Sequence, residues 1–213
     1  MRKSILFCFC LFCCLICVAQ EQERKEKVAI SVDLGGGKLF GTTNLSPFGE
    51  IYRQQYDKGF SGSIKATYRF LQNFQVGLKY NLFGATADFA LHSGEWVNSD
   101  LSLNYLAPQI GCRYDVTDRL IFDFMCGAGY AYYKNSGVCD GESFKAKKGF
   151  WASNFDCSFY YRLYPNLYSG LGCSFTGGKA SSYEMNGHKV ELEGRNELKL
   201  FRGDIYFSVR SYF

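Results

Sequence analysis

Apolar and polar residues alternate with a period of two along most of the chain after residue 27. In the segment FSGSIKATYRF, residues 60–70, every second residue from Phe60 is apolar or glycine, and the residues between are Ser, Lys, Thr and Arg. This is the period of a β-strand with one apolar and one polar face. Eight segments carry the pattern, and they begin at residues 27, 60, 74, 101, 120, 151, 167 and 200.

The connections between these segments alternate between long and short. Residues 35–59 separate the first two strands, whereas only residues 71–73 separate the second from the third. Strict alternation places all long loops at one end of a sheet and all tight turns at the other, as in a transmembrane β-barrel. The other long loops are predicted at residues 88–100, 134–149 and 178–197.

The composition of the two faces distinguishes a membrane barrel from a soluble ligand-binding barrel. The polar face contains many Gly and Ser residues, which suit a narrow interior, whereas the apolar face carries bulky Phe, Leu, Tyr, Ile and Trp. An eight-stranded lumen is too narrow for so many large apolar side chains. We therefore predict an all-β fold over residues 28–213, an eight-stranded antiparallel up-and-down transmembrane β-barrel with its apolar face outward. The soluble barrel is the alternative, with the faces reversed.

Aromatic residues cluster near the predicted strand ends. Membrane barrels carry such residues in girdles at both interfaces, although aromatic residues also favour strands in general. The residues concerned are Phe70, Phe74, Tyr114, Tyr130, Tyr132, Trp151, Tyr161 and Phe213.

Charged residues fall on the predicted inward face. An isolated ion in a narrow, poorly hydrated lumen is unfavourable, so these residues should pair. We therefore predict an ion-pair network that fills the barrel. Its members are Asp33, Lys65, Arg69, Lys79, Arg113, Asp123, Asp156, Arg162, Arg202, Asp204 and Arg210.

The fourth strand contains an irregularity. Pro108 lacks an N–H group and a closed barrel has no edge strand, so we expect a bulge or a short unpaired stretch there. In a regular strand Leu101 and Leu103 would face the opposite side from Leu106. A bulge would return all three to one face.

The amino terminus has the features of a secretory signal peptide. Arg2 and Lys3 precede an apolar run, and the small residue Ala19 ends a typical cleavage site. We assign residues 1–19 to the signal peptide, 20–27 to a charged N-terminal segment and 28–213 to the barrel. The formal net charge of +4 includes those two basic residues, so the barrel itself has no charge footprint for nucleic acid.

Cysteine usage predicts neither a metal site nor a disulfide framework. Five of the ten cysteines lie in the signal peptide, and the rest show no CxxC spacing. Cys139 is the only one predicted in a loop, where it could be a reactive thiol or an uninvolved residue. We expect no metal and no cofactor.

The chain resembles the small outer-membrane barrels of Gram-negative bacteria of the OmpX type and the OmpA transmembrane domain, within the porin-family group called outer membrane protein beta-barrel domain. NYLAPQIGCRYDV followed by FMCGAGYAYY is similar to the middle hairpin of that group, although Pro108 comes one residue early. The resemblance implies outer-membrane location, contact with membrane lipid and lipopolysaccharide, and insertion by the barrel assembly machinery. That machinery reads a terminal strand ending in Phe, here with Phe207, Val209 and Phe213 facing lipid. The family shares no catalytic residues.

Three functions remain open from the sequence. The first is a structural or surface-interaction role through four extracellular loops, with an extracellular partner that the sequence does not identify. The second is a narrow pore for ions or small solutes. The third is a lipid A-modifying enzyme, for which His92, Ser93 and Glu95 are the only adjacent candidates. We predict a non-enzymatic protein, because mobile loop residues so close in sequence rarely form a catalytic triad.

Overall fold

The computed structural model describes residues 27–40, 43, 45–48, 50–192 and 197–213. The predicted signal peptide and residues 20–26 lie outside this range. No helix in the described part of the chain has the length and hydropathy needed to cross a membrane.

The described residues form ten β-strands and one 3-10 helix, η1, which spans Glu50–Tyr56. The strands are β1 Val28–Leu39, β2 Lys58–Arg69, β3 Phe74–Ala90, β4 Trp96–Asp115, β5 Leu120–Cys139, β6 Glu142–Tyr164, β7 Leu167–Ala180, β8 Ser182–Met185, β9 His188–Glu191 and β10 Leu198–Tyr212.

Eight of these strands close into an antiparallel barrel, which confirms the predicted fold class. Successive strands from β1 to β7 pair as neighbours, β7 pairs with β10, and β10 returns to β1. The closing pair runs from Ala29 opposite Tyr212 to Leu39 opposite Arg202. The two remaining strands, β8 and β9, form a small hairpin that pairs with β6.

The apolar face of the strands points outward, as predicted. On β10, Phe207 is 52% exposed, whereas Arg210, three residues later, is 2% exposed. Six of the eight predicted girdle residues are exposed, and Phe74 and Tyr114 are half-buried. This arrangement is the reverse of a soluble ligand-binding barrel.

The barrel has two different ends. The turn end carries Val28, Phe213 and the short connections at residues 70–73, 116–119 and 165–166. The loop end carries loop 1, residues 40–57, and loop 4, residues 181–197.

Two of the predicted long loops are wrong, because the strands continue through them. The β3–β4 connection is only residues 91–95, and β5 and β6 meet at the two-residue turn Asp140–Gly141. Both turn residues have positive φ, 49° and 85°, which is the conformation of a tight type I′ hairpin. Cys139 is thus the last residue of β5 and not a loop residue.

Of the two irregularities expected at Pro108, β4 has the short unpaired stretch and no bulge. The register with β5 is constant from Val97 opposite Cys139 to Asp115 opposite Ile121, with only Ala107 and Pro108 unpaired on that side. The irregularity is therefore the short unpaired stretch. Leu101 and Leu103 keep their parity and point inward, at 2% and 0% exposure.

The Asp-Gly turn gives a test of the long β5–β6 hairpin. An alanine Cβ at Gly141 would meet no atom within 4 Å, so Gly141→Ala acts only through its left-handed φ. We expect the free energy of unfolding to fall by about 1–2 kcal/mol, measured by urea denaturation in detergent micelles. The control is Gly84→Ala, at an extended position where the new Cβ has ordinary contacts. An equal loss in both variants would contradict the assignment.

Candidate functional site

The predicted lumen residues lie almost entirely inside the barrel. Ten of the eleven are buried, with exposures between 0% and 8%. Arg162 is the exception, because it lies near the β6–β7 turn and is partly exposed. The buried members form connected groups that follow one another from the turn end to the loop end.

The group nearest the turn end is built around Arg210. Its guanidinium contacts the Asp123 carboxylate and donates to the hydroxyls of Tyr160, at 2.9 Å, and Tyr212, at 3.1 Å. The same guanidinium lies 3.8 Å from the centre of the Tyr160 ring. Arg113 stacks on the Tyr212 ring at 4.4 Å. Aromatic rings therefore fill the space between the charges in this group.

The middle of the lumen contains two lysine–aspartate pairs. Lys65 Nζ lies 2.9 Å from Asp33 Oδ2, and that carboxylate also accepts from the hydroxyls of Ser63 and Ser208. Lys79 Nζ lies 2.6 Å from Asp156 Oδ1.

The second pair has further partners that tie it to the wall. Lys79 also donates to Ser174 at 2.9 Å, and Asp156 accepts from Gln109 Nε2 at 2.8 Å. These contacts join strands β3, β4, β6 and β7 across the lumen. The pair thus links opposite sides of the barrel and does not lie along one wall.

Arg202 and Asp204 form the group nearest the loop end. Arg202 Nη2 lies 2.9 Å from Asp204 Oδ2 and donates to the Asn81 side chain. Its guanidinium also lies 4.8 Å from the centre of the Phe83 ring. Phe83 marks the point at which the interior changes from polar to apolar.

The lumen is therefore a packed polar core. Among the described residues, six basic and four acidic side chains are buried, and Arg202, Arg210, Lys79 and several tyrosines are the largest of the fully buried groups. An eight-stranded barrel is just wide enough for side chains to fill it. Lys79–Asp156 and Arg210–Asp123 cross the lumen, whereas Lys65–Asp33 joins neighbouring strands and Arg202–Asp204 lies within β10.

An apolar core continues the interior towards the loop end. The inward residues of β3 are Phe83, Ala85, Ala87 and Phe89, whereas its outward residues there include Asp88. The same alternate positions of β3 point inward along the whole strand, but near the loop end the inward positions are apolar and the outward positions are small or polar. This part of the wall is patterned like that of a soluble barrel. We call the buried cluster, together with the part of loop 1 that covers it, the apolar cap.

Loop 1 closes the cap through aromatic contacts. The Phe48 ring lies 4.9 Å from Phe144 and 6.0 Å from Phe89, both edge-on. Tyr52 stacks on Phe89 at 5.2 Å. Such ring pairs add to the free energy gained from apolar burial. Loop 1 is thus packed into the barrel mouth.

Three tyrosine hydroxyls hold the cap in place. Tyr56 shares a hydrogen bond of 2.6 Å with Ser99, while Tyr133 and Tyr183 donate to loop 1 carbonyl oxygens of Leu45 and Pro47. Burial raises the pKa of Tyr56 and outweighs the Ser99 hydrogen bond, which lowers it. The hydroxyl is therefore a neutral partner at neutral pH.

The sequence contains two signals for the cap. Leu101 and Leu103 alternate so as to point inward, which fits an apolar interior without any bulge. Asp140–Gly141 and Asn186–Gly187 are typical two-residue hairpin turns, and they fell in stretches predicted as long loops.

The candidate enzyme residues do not form a triad. Ser93 donates its hydroxyl to Glu95 at 3.0 Å and not to His92. His92 donates its backbone N–H to Tyr52 and packs its ring 5.8 Å from the tyrosine ring. In the described ranges no cluster of three or more His, Cys, Asp or Glu residues is placed to hold a metal.

The sequence matches the family described as outer membrane protein beta-barrel domain over residues 7–195. The chain belongs to this family. A comparison with curated protein sequences returns no match.

This member of the family is similar to solved structures of outer membrane barrels. Neisserial surface protein A has a TM-score of 0.54 and 14% identity, with 87% of this chain and 97% of that chain covered. OprG from Pseudomonas aeruginosa has a TM-score of 0.56 and 12% identity, with 88% of this chain and 97% of that chain covered. The outer membrane protease OmpT from Escherichia coli has a TM-score of 0.50 and 5% identity, with 92% of this chain and 99% of that chain covered. These identities show a shared fold alone.

The Lys79–Asp156 pair gives a test of the packed lumen in this barrel. Asp156→Ala leaves a buried ammonium without its carboxylate, so we expect the free energy of unfolding to fall by about 3–5 kcal/mol. Urea denaturation in micelles measures it. The double variant Lys79→Met/Asp156→Leu removes both charges and should unfold much nearer to wild type.

The matched control is Glu191→Ala, which breaks the exposed pair with Lys189. We expect a loss below about 1 kcal/mol there. If Asp156→Ala costs no more than this control, the lumen is hydrated enough to solvate a free ammonium and is not a packed core.

Proposed function

We propose that the protein is an integral outer membrane barrel with a non-enzymatic structural and surface-interaction role, exported by the signal peptide at residues 1–19. The observation that carries this proposal is the double closure of the lumen. Paired charges fill its polar length, and the apolar cap with loop 1 covers the mouth. A barrel closed in this way supports a surface role better than a pore.

The loop end is proposed to face the outside of the cell. Outer-membrane barrels have short periplasmic turns and longer extracellular loops, and the turn end carries the connections at residues 116–119 and 165–166. Phe213 closes the terminal strand at that same end, with its N–H donating to the Val28 carbonyl at 2.8 Å. The outward residues Phe207, Val209 and Phe213 then form the proposed signal for the barrel assembly machinery.

The loop end would present an ordered surface to a partner. The β5–β6 hairpin projects to Asp140, and the β8–β9 hairpin docks beside it on β6. Loop 1 is tied down by Tyr133 and Tyr183. A rigid surface loses little conformational entropy when a partner binds. Lipopolysaccharide of the surrounding leaflet is the first proposed contact.

Conductance distinguishes the surface role from a narrow pore. We expect the refolded protein in a planar lipid bilayer to give no step-like current, because buried side chains pack the lumen and the apolar cap covers its mouth. A sixteen-stranded porin added to the same membrane is the control for insertion and recording. Unitary steps from the purified barrel would instead establish the pore and reject a closed lumen.

Thiol labelling tests the orientation. In a Cys139→Ser background, Lys189→Cys places a thiol on the β8–β9 hairpin and Asp118→Cys places one on the β4–β5 turn, both at exposed positions. A membrane-impermeant maleimide applied to intact cells should label residue 189 and not residue 118. Lysed cells are the control, in which both should react. Preferential labelling of residue 118 in intact cells would invert the orientation.

A further inference from the structure

A cleft opens through the barrel wall between β6 and β7, just above the apolar outer band. Strand β6 pairs with β7 from Ala152 to Tyr164 and with β8 at Ala146 and Lys147. Among the described residues, those at 148–151 therefore have no strand partner on that side. A cavity of about 1250 Å³ occupies this gap.

Residues from both faces of the wall line the cleft, so it extends from the outer surface into the wall. Phe150 and Leu200 point inward and contribute to the apolar cap, while Trp151 and Phe201 point outward. Gly177 lies between the two outward aromatics and leaves the entrance open. The volume exceeds the range of ~300–1,000 Å³ typical of small-molecule sites, and much of the lining is apolar.

Two lysines face each other at the mouth of the cleft. Lys179 of β7 and Lys199 of β10 are directly opposite in the register and share the outward face. Like charges in this position are destabilising. The Glu197 carboxylate lies 3.8 Å from Lys199 Nζ, while Lys179 is exposed on the outer face. Two ammonium groups opposite each other on neighbouring strands can bind one phosphate group together.

The height of the cleft determines what can reach it. The outward residues of β10 are apolar or small from Phe201 to Phe213, and basic at Lys199. A tilted membrane strand needs ~9–11 residues, so Phe201 and Trp151 lie at the upper interface. The lysines are then level with lipid headgroups, and the apolar lining is within reach of lipid chains.

We propose that this cleft binds an anionic lipid of the surrounding leaflet, with one acyl chain in the gap between β6 and β7 and the headgroup phosphate on Lys179 and Lys199. The chain would contact Phe150, Trp151 and Phe201. This binding site rests on the proposed membrane orientation and gives the proposed lipid contact a defined place, but the conductance result does not bear on it.

The two tryptophans of the chain provide the test. Trp96→Phe leaves Trp151 as the only tryptophan, at the cleft mouth and 74% exposed. The full chain is reconstituted in phosphatidylcholine nanodiscs containing increasing fractions of brominated phosphatidylglycerol or brominated phosphatidylcholine as quenchers. We expect half-maximal quenching at an anionic lipid fraction about tenfold lower than for the zwitterionic lipid.

Two variants separate the contributions of headgroup and chain. Lys179→Gln/Lys199→Gln should remove most of the preference for anionic lipid, whereas Lys58→Gln on β2 should not. Gly177→Leu should fill the cleft and reduce quenching by anionic lipid to the zwitterionic level. The new Cβ would lie 3.7 Å from Leu200 O and 3.9 Å from Phe201 Cδ2, both ordinary contacts.

The matched control for the cleft is Gly84→Leu, another outward glycine in open surroundings. It should keep the full anionic preference. Equal quenching by the two lipids in the wild type would overturn the proposal. So would a preference that survives in Gly177→Leu as fully as in Gly84→Leu, because the chain would then lie outside the cleft.

Discussion

Closure of the sheet between β1 and β10 is the constraint on which the rest of the structure depends. A strand in lipid must satisfy every backbone N–H and C=O within the protein, and the eleven-residue register from Ala29 to Leu39 does this for the two strands that would otherwise be edges. Phe213 completes the ladder by exchanging hydrogen bonds with Val28, so β1 is paired as far as the turn end.

Closing eight strands also fixes the width of the interior and therefore its chemistry. Since the outside must be apolar, strand alternation directs the polar residues into a space that admits little water. Charges in that space are tolerated only when each has a partner. Asp33 accordingly receives Lys65, Ser63 and Ser208 together, and Arg210 is held by an acid and two tyrosines. The packed lumen is a consequence of the membrane-facing wall.

The sequence predicted the membrane half of this structure well and the loop end poorly. Where one face meets lipid, as from Val28 to Leu34, the alternation is strong and predicts both the strand and which of its residues face outward. Beyond the membrane, Phe83 to Phe89 alternate equally well, but the apolar residues point inward because the outer face meets water. Parity alone cannot distinguish this reversal from a loop or a bulge. The ion pairs were predictable as a set, but not as individual partners, because register across the lumen depends on closure.

Unequal strand lengths and an interrupted strand pairing explain the two features of the loop end. Strand β6 has 23 residues and its neighbour β7 only 14, so β6 continues past the point where β7 ends. The extra length of β3 to β6 needs an apolar partner, which loop 1 supplies through Phe48 and Tyr52. Pairing between β6 and β7 stops at Ala152 opposite Gly178, two residues before β7 ends, and β8 joins β6 only at Lys147. The wall opens between these two points, so the cleft marks a separation of the two strands and the apolar cap marks the extra length of β6.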